Sequence, residues 1–289
     1  MHPAPSVIAF TTLSGLGFGL LFWLGLGLPP VTGWVAFVFF ALAYALAVGG
    51  LLASVAHLAN PKNAIKAFSQ WRSSWLSREG IAAIAALLLM AVFASGIIFF
   101  DVRLRVVGVL GALLCLTTVF TTSMIYTQLK TVPRWNMWTT PPVFLLHALA
   151  GGALLAGQTR LAAVLLTVLG VLMVWAWIAG DEKGRAGSTM ESATGLGRIG
   201  KVRLLEPPHS GENYLLKEMA YQVGRKHAVK LRVIALGLGI ILPAALMLLL
   251  SVTHFIGFIA VLSHLVGIAA GRWLFFAEAE HVQALYYGR

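Results

Sequence analysis

Long apolar stretches recur along this chain, separated by short polar connections and by one long one. A run of about 18 or more nearly uncharged apolar residues reads as a transmembrane helix, because about 20 residues at about 1.5 Å rise cross the hydrocarbon core with every backbone group bonded internally. Eight spans are expected, at about 7–28, 34–58, 81–100, 106–129, 141–157, 161–179, 230–252 and 255–276. The connections 101–105, 130–140 and 158–160 are short, which makes sequential helices antiparallel neighbours. The long polar segment, 180–229, holds Gly184, Gly187, Gly195, Gly197, Gly200, Gly211 and the pair Pro207-Pro208, the marks of a loop, with a short helix expected over 213–227. The expectation is an all-α integral membrane protein, one eight-transmembrane-helix bundle over 1–289 without a convincing internal repeat.

The pattern is interrupted most sharply between the second and third spans. Residues 57–80, HLANPKNAIKAFSQWRSSWLSREG, hold Lys62, Lys66, Arg72 and Arg78 with Trp71 and Trp75, and His57 and Glu79 mark the two ends. Asn60-Pro61 reads as an N-cap followed by proline at the first helical position, and Ile65, Phe68, Trp71 or Arg72, and Trp75 recur at helical spacing. That spacing predicts a short interfacial helix, its tryptophans at headgroup depth and Lys62 and Lys66 toward water. Ser77 is the expected cap of the third span, with Glu79 in the first turn, where the helix dipole favours an anion. Gly15, Gly17, Gly19, Gly49 and Gly50 are expected to let helices approach closely.

Composition agrees: 59% of residues are hydrophobic and 11% charged, with mean hydropathy +0.86, against roughly 25% charged in a soluble domain. The net charge of +11 is not read as nucleic-acid binding, because Lys and Arg lie between apolar runs, where they meet membrane lipids and set orientation. Eighteen of the 21 fall on the side of the chain ends, and only Arg103, Arg105 and Arg160 on the other. This bias puts both termini, the 57–80 stretch and the 180–229 loop in the cytoplasm. The start, MHPAPSVIAF, lacks the positive n-region of a signal peptide, so the first span is expected to be retained. One cysteine, Cys115, leaves no internal disulfide, Cys-rich metal site or self-supplied iron–sulfur ligation. Any iron–sulfur chemistry must come from a partner.

Polar groups at membrane depth are costly unless paired, which makes them the first candidates for function. Asp and Glu are absent from the middle of every span, and neither inverted repeats nor broken spans are evident, which argues against the alternative of a multispan transporter. Histidines remain: His57 at the end of span two, His147 about two turns into span five, and His264 near the middle of span eight, with His254 at the opposite surface. His57 and Glu79 flank one segment near one membrane boundary. A quinone needs such a place: an apolar slot for its tail, donors for its carbonyls, and a titratable group in touch with water. Arg72, Trp71, Trp75 and Arg78 would add donors and stacking. The plainer reading is a satisfied histidine, a capping glutamate and an interfacial belt. His147 and His264 are the pair best placed by depth for a b-type haem, although helix packing is the commoner role. Arg198, Lys201, Arg203 and His227 of the long loop are candidates for docking a partner, or a solvated face that attracts headgroups. GLGRIG, at 195–200, does not fit the dinucleotide fingerprint.

Five segments carry a family resemblance: HPAPSVI at 2–8, the whole of 57–80, YTQLKTVPRWN at 126–136, GRKHAVKLR at 224–232, and RWLFFAEAEHVQALYY at 272–287. Together they resemble the dimethyl sulfoxide reductase anchor-subunit family, over nearly the whole chain. The resemblance implies a heterotrimer in the bacterial cytoplasmic membrane: a molybdopterin catalytic subunit, a ferredoxin-like subunit with four iron–sulfur clusters, and this anchor, which exchanges electrons with ubiquinone or menaquinone. In the reductase branch a histidine and a glutamate are associated with the quinol site, and by position these correspond to His57 and Glu79. That branch is considered haem-free. The same anchor type is found in sulfite dehydrogenases that face the cytoplasm, and the charge bias favours that direction. A reductase anchor oxidising menaquinol is the alternative, and a purely structural anchor a third.

Overall fold

The computed structural model describes residues 1–57, 60–206, 211 and 226–287, and among them every regular element is helical. In chain order these are α1 (Pro5–Gly25), α2 (Gly33–Ala56), α3 (Trp75–Phe99), α4 (Arg105–Thr127), α5 (Thr140–Leu155), α6 (Thr159–Arg185), the short α7 (Met190–Thr194), α8 (Ala228–Leu249) and α9 (His254–Ala277). All except α5 and α7 are long and apolar enough to cross a membrane, seven in all. The fifth expected span is a 16-residue apolar helix, about 24 Å long and so shorter than a hydrocarbon core of about 30 Å. The chain is a multi-pass membrane protein. The Met1 amine donates to the Ala279 carbonyl, and the side of the bundle where they meet is called the terminal face below.

Helix α1 is the centre, packed against α2, α4, α5 and α9, with Phe18, Leu20 and Leu21 fully enclosed. Lipid tails are as apolar as leucine, so close fit rather than apolar burial must hold such helices together. A Cβ on Gly152 of α5 would stand 2.2 Å from the Gly19 carbonyl carbon, so the two backbones touch there. Gly17 and Gly50 make comparable contacts between α1 and α2, with Ala47 and Ser14. Gly15 and Gly49, expected in the same role, would meet nothing within 4 Å. They fall on helix faces turned away from a neighbouring backbone.

Several expected boundaries move. Ser74, not Ser77, caps α3: its Oγ accepts from the Ser77 N–H at 3.4 Å. The helix therefore starts at Trp75 instead of near residue 81, and Glu79 lies beyond the first turn, buried in the bundle rather than in a capping position. A short helix runs over Pro61–Gln70, but as a 3-10 helix, and Asn60 at its N-cap makes no side-chain cap bond. The tighter winding eclipses side chains three apart, which puts Ile65 and Phe68 in one row. Helix α6 runs to Arg185, so Asp181 and Lys183, expected in the loop, stand on a helix. Pro207-Pro208 and most of the helix expected over 213–227 lie outside the described residues.

In α8 the turn Gly237–Ile241 is π-helical. Pro243 explains it: without an N–H it cannot bond the Gly239 carbonyl four residues back, and its ring crowds that oxygen. The freed group turns to α9. His264 Nδ1 lies 2.6 Å from the Gly239 oxygen, and Ser263 Oγ donates to the Leu238 carbonyl at 2.7 Å. Gly267 permits this contact, since a Cβ there would stand 2.1 Å from Gly239 N.

Candidate functional site

Helix α2 ends at His57, which is exposed, with Nδ1 3.1 Å from Ser6 Oγ of α1. After the 3-10 segment the chain turns into α3, and Arg78 ties this turn down. Its Nε donates to the Trp71 carbonyl at 3.0 Å and an Nη to the Arg72 carbonyl at 2.7 Å, while its guanidinium lies 4.3 Å over the Trp75 ring. Trp75 in turn meets Phe120 of α4 edge-on at 6.1 Å. Arg78 and Trp75 thus hold the segment in place. Arg72 and Trp71 stack on each other at 5.4 Å and are exposed. The 3-10 helix is pinned by Phe68, whose ring lies where a Cβ on Gly80 would stand, 2.6 Å from it.

Glu79, one residue before that contact, faces into the bundle with 3% of its surface exposed. Thr122 of α4 donates from Oγ1 to Glu79 Oε1 at 2.5 Å, and the same hydroxyl lies 2.9 Å from the Thr118 carbonyl. One hydroxyl proton serves one acceptor at a time. With Glu79 ionised, Thr122 donates to the carboxylate. With Glu79 protonated, the carboxyl donates to Thr122 Oγ1, and the threonine proton turns to Thr118. Glu79 therefore keeps its bond to Thr122 in either protonation state, as suits a group that takes and gives protons. His57 and Glu79 bond to different helices: the first to Ser6 of α1, the second to Thr122 of α4.

His147 and His264 are both buried. His264 uses Nδ1 on the Gly239 carbonyl, and its Nε2 lies against Gly151, 2.9 Å from where a Cβ would stand. No porphyrin fits between that nitrogen and α5. His147 Nδ1 has no partner and lines a cavity of about 60 Å³ between α5, α6 and α9, far smaller than a haem.

Sequence reasoning missed Arg272, counting it among the charges of the chain's end. It is 3% exposed, its Nε without a partner, its guanidinium 3.7 Å from the Phe144 ring centre. The signal was present, since Arg272 falls inside the 255–276 span. A second missed feature is an ion cluster on the terminal face. Asp181 accepts from Arg134 at 2.7 Å and from both Nη of Arg232 at 2.7 Å, and Glu278 accepts from Arg232 at 2.6 Å and from Arg134 at 3.4 Å. Three of the segments that carry the family resemblance meet in this cluster. Arg198, Lys201, Arg203 and His227 are exposed, and the first three belong to the segment after α7. Among the described residues no group of His, Cys, Asp or Glu is placed to hold a metal ion.

The family profile described as DMSO reductase anchor subunit (DmsC) matches residues 6–278. A curated relative, the C subunit of the sulfite dehydrogenase of Allochromatium vinosum, is 30% identical across 99% of both chains. No solved structure matches. An anchor subunit implies catalytic and electron-transfer subunits beside it, and a chain whose apolar helices and matching residues both run nearly from end to end fits no other part of such a complex: it belongs to the DMSO reductase anchor subunit family.

Proposed function

We propose that this anchor exchanges electrons with the quinone pool at the 57–80 segment, as the membrane subunit of a sulfite dehydrogenase. The observation that carries this is the Glu79–Thr122 pair: a buried carboxyl near the membrane boundary whose two protonation states are both bonded. The Phe68 ring packs on Gly80 one residue away, and a planar quinone head would take this place beside Glu79 once that ring swings aside. His57 stands at the far edge of the same segment, where its ring meets water and one quinone carbonyl. A quinone bound here accepts two electrons from the nearest cluster of an iron–sulfur subunit and takes up two protons. Glu79 hands on one proton through Thr122, His57 relays the other, and exposed Arg72 is a further donor. Arg78 and Trp75 hold the turn into α3 that carries Glu79, with Trp71 beside it.

The positive charge bias supports a cytoplasmic terminal face, which carries the termini, the quinone segment and the exposed Arg198, Lys201, Arg203 and His227 as docking residues for a four-cluster iron–sulfur subunit. The complex is completed by a molybdopterin catalytic subunit, and α5 crosses as the eighth span in a bacterial inner membrane. The sulfite direction is supported by the relative's name. Reduction of dimethyl sulfoxide at the expense of menaquinol is the second reading, supported by the family description. In the assembled complex, Glu79→Gln and His57→Ala are expected to lower quinone-linked turnover by about 100-fold while leaving assembly and artificial-dye activity intact. Normal quinone turnover in both variants sinks the site, and assays with sulfite and with dimethyl sulfoxide decide the direction.

A further inference from the structure

The 60 Å³ cavity between α5, α6 and α9 poses a separate problem. Its walls are mostly apolar, among them Phe144, Met173 and Trp177, yet Thr139 Oγ1, His147 Nδ1 and Arg272 Nε all line it without a hydrogen-bond partner. Each of these residues is more than nine-tenths buried. Buried polar atoms are bonded as a rule, and a guanidinium in a membrane bundle is the costliest kind to leave bare. The three atoms share this one cavity.

Size selects it. A water needs about 15 Å³ or less of such space, whereas a benzene-sized ring takes a cavity of about 150 Å³. The cavity therefore suits a few waters and is too small for a quinone head. Its mouth is polar: Arg134 and Glu278 line it, and both also line the cleft of about 380 Å³ on the terminal face, with Asp181, Glu280 and His281. On the inner side, Tyr126 of α4 packs on Phe144, a wall of the cavity, with ring centres 5.8 Å apart, one helical turn from Thr122, the partner of Glu79. The ion cluster thus opens on the cavity, and Tyr126 joins the cavity wall to the helix that carries Thr122.

We infer that this cavity holds a small cluster of bound waters, anchored by Arg272, His147 and Thr139, which carries protons between the terminal-face cleft and Glu79. The waters give the three orphaned atoms their partners. Glu278 at the mouth offsets the positive charge of Arg272, which by itself would repel an entering proton. His147 and Thr139 offer a ring nitrogen and a hydroxyl through which a proton passes, and Tyr126 closes the gap to Glu79. The role assigned to the waters rests on the quinone reading above, which supplies the acceptor of these protons.

The test uses the assembled complex in two arms. In a density map fine enough to show ordered water, at least two waters are expected within hydrogen-bond reach of Arg272 Nε, His147 Nδ1 and Thr139 Oγ1. An empty cavity, or density for a ring or an acyl chain, overturns the proposal. Ala176→Leu fills the cavity from α6, and Thr139→Val removes one anchor with little change of shape. Each is expected to slow quinone-linked turnover by about fivefold and to raise its solvent deuterium isotope effect, with dye-linked activity unchanged as the control for assembly. Unaltered turnover and isotope effect in both, with Glu79→Gln inactive, sinks the water route alone. Normal turnover in both Glu79→Gln and His57→Ala sinks the quinone reading and, with it, the route.

Discussion

Thr122 and Arg272 show what single residues contribute. Thr122 is one of several hydroxyls on α4, among them Thr117, Thr118 and Thr121, that bond carbonyls three or four residues back. It differs because Glu79 of α3 reaches it. Thr122→Val keeps the shape and removes the hydroxyl, leaving Glu79 with no hydrogen-bond partner in either state. Quinone-linked turnover is expected to fall about tenfold, and Thr122→Ser to restore most of it; steady-state assays of the complex check both. The hydroxyl's special standing was invisible in the sequence, where Thr117, Thr118, Thr121 and Thr122 look alike. Glu79 itself was legible as a candidate, but its expected reason, a helix dipole at a cap, was replaced by burial once Ser74 took the cap. The two serines are equally good caps by residue type. Which one is used depends on where the preceding turn, tied by Arg78 to the Trp71 and Arg72 carbonyls, delivers the chain.

Among the elements, α8 carries the clearest dependence of one helix on another. The defect is local and readable, a proline inside an apolar run. Its repair is not, because the donor comes from α9, 25 residues away. An unbonded carbonyl in a bundle costs about 1–3 kcal/mol, and His264→Leu should destabilise the protein by about that much. Pro243→Ala restores the N–H that Gly239 lacks, so the same histidine substitution should cost less in that background. Thermal unfolding in detergent of the two single variants and the double variant gives the coupling. Additive effects would mean that His264 does not serve the π turn. The 3-10 segment makes the same point in a weaker form. Its helical spacing was correct and its type was not, since apolar residues three apart suit a 3-10 row as well as an α-helical face.

For the whole molecule, packing is set by where bare backbone meets bare backbone. Gly49 and Gly50 are neighbours on α2, yet a Cβ at Gly49 would meet nothing within 4 Å and one at Gly50 would stand 2.5 Å from Ser14 N. Gly49→Ala should be neutral or stabilising by up to about 1 kcal/mol through helix propensity. Gly50→Ala should destabilise by about 1–3 kcal/mol as α1 and α2 are forced apart. Unfolding midpoints measured by intrinsic fluorescence distinguish the two, and equal shifts would refute the contact. At this scale the sequence by itself determined the class: helices, because lipid leaves the backbone no other partner, and the order of the seven long spans, because apolar length reports a crossing. It also determined the segment that breaks the pattern, from its charges and tryptophans. Only the tertiary structure decided which polar residues act together. Arg134, Asp181, Arg232 and Glu278 come from four separate stretches, and Glu79 and Thr122 stand on different helices. Hydropathy counts how many residues lie in the membrane but carries no record of the angle at which each helix faces its neighbours, and that rotation decides whether a buried polar group finds a partner, a cavity or lipid.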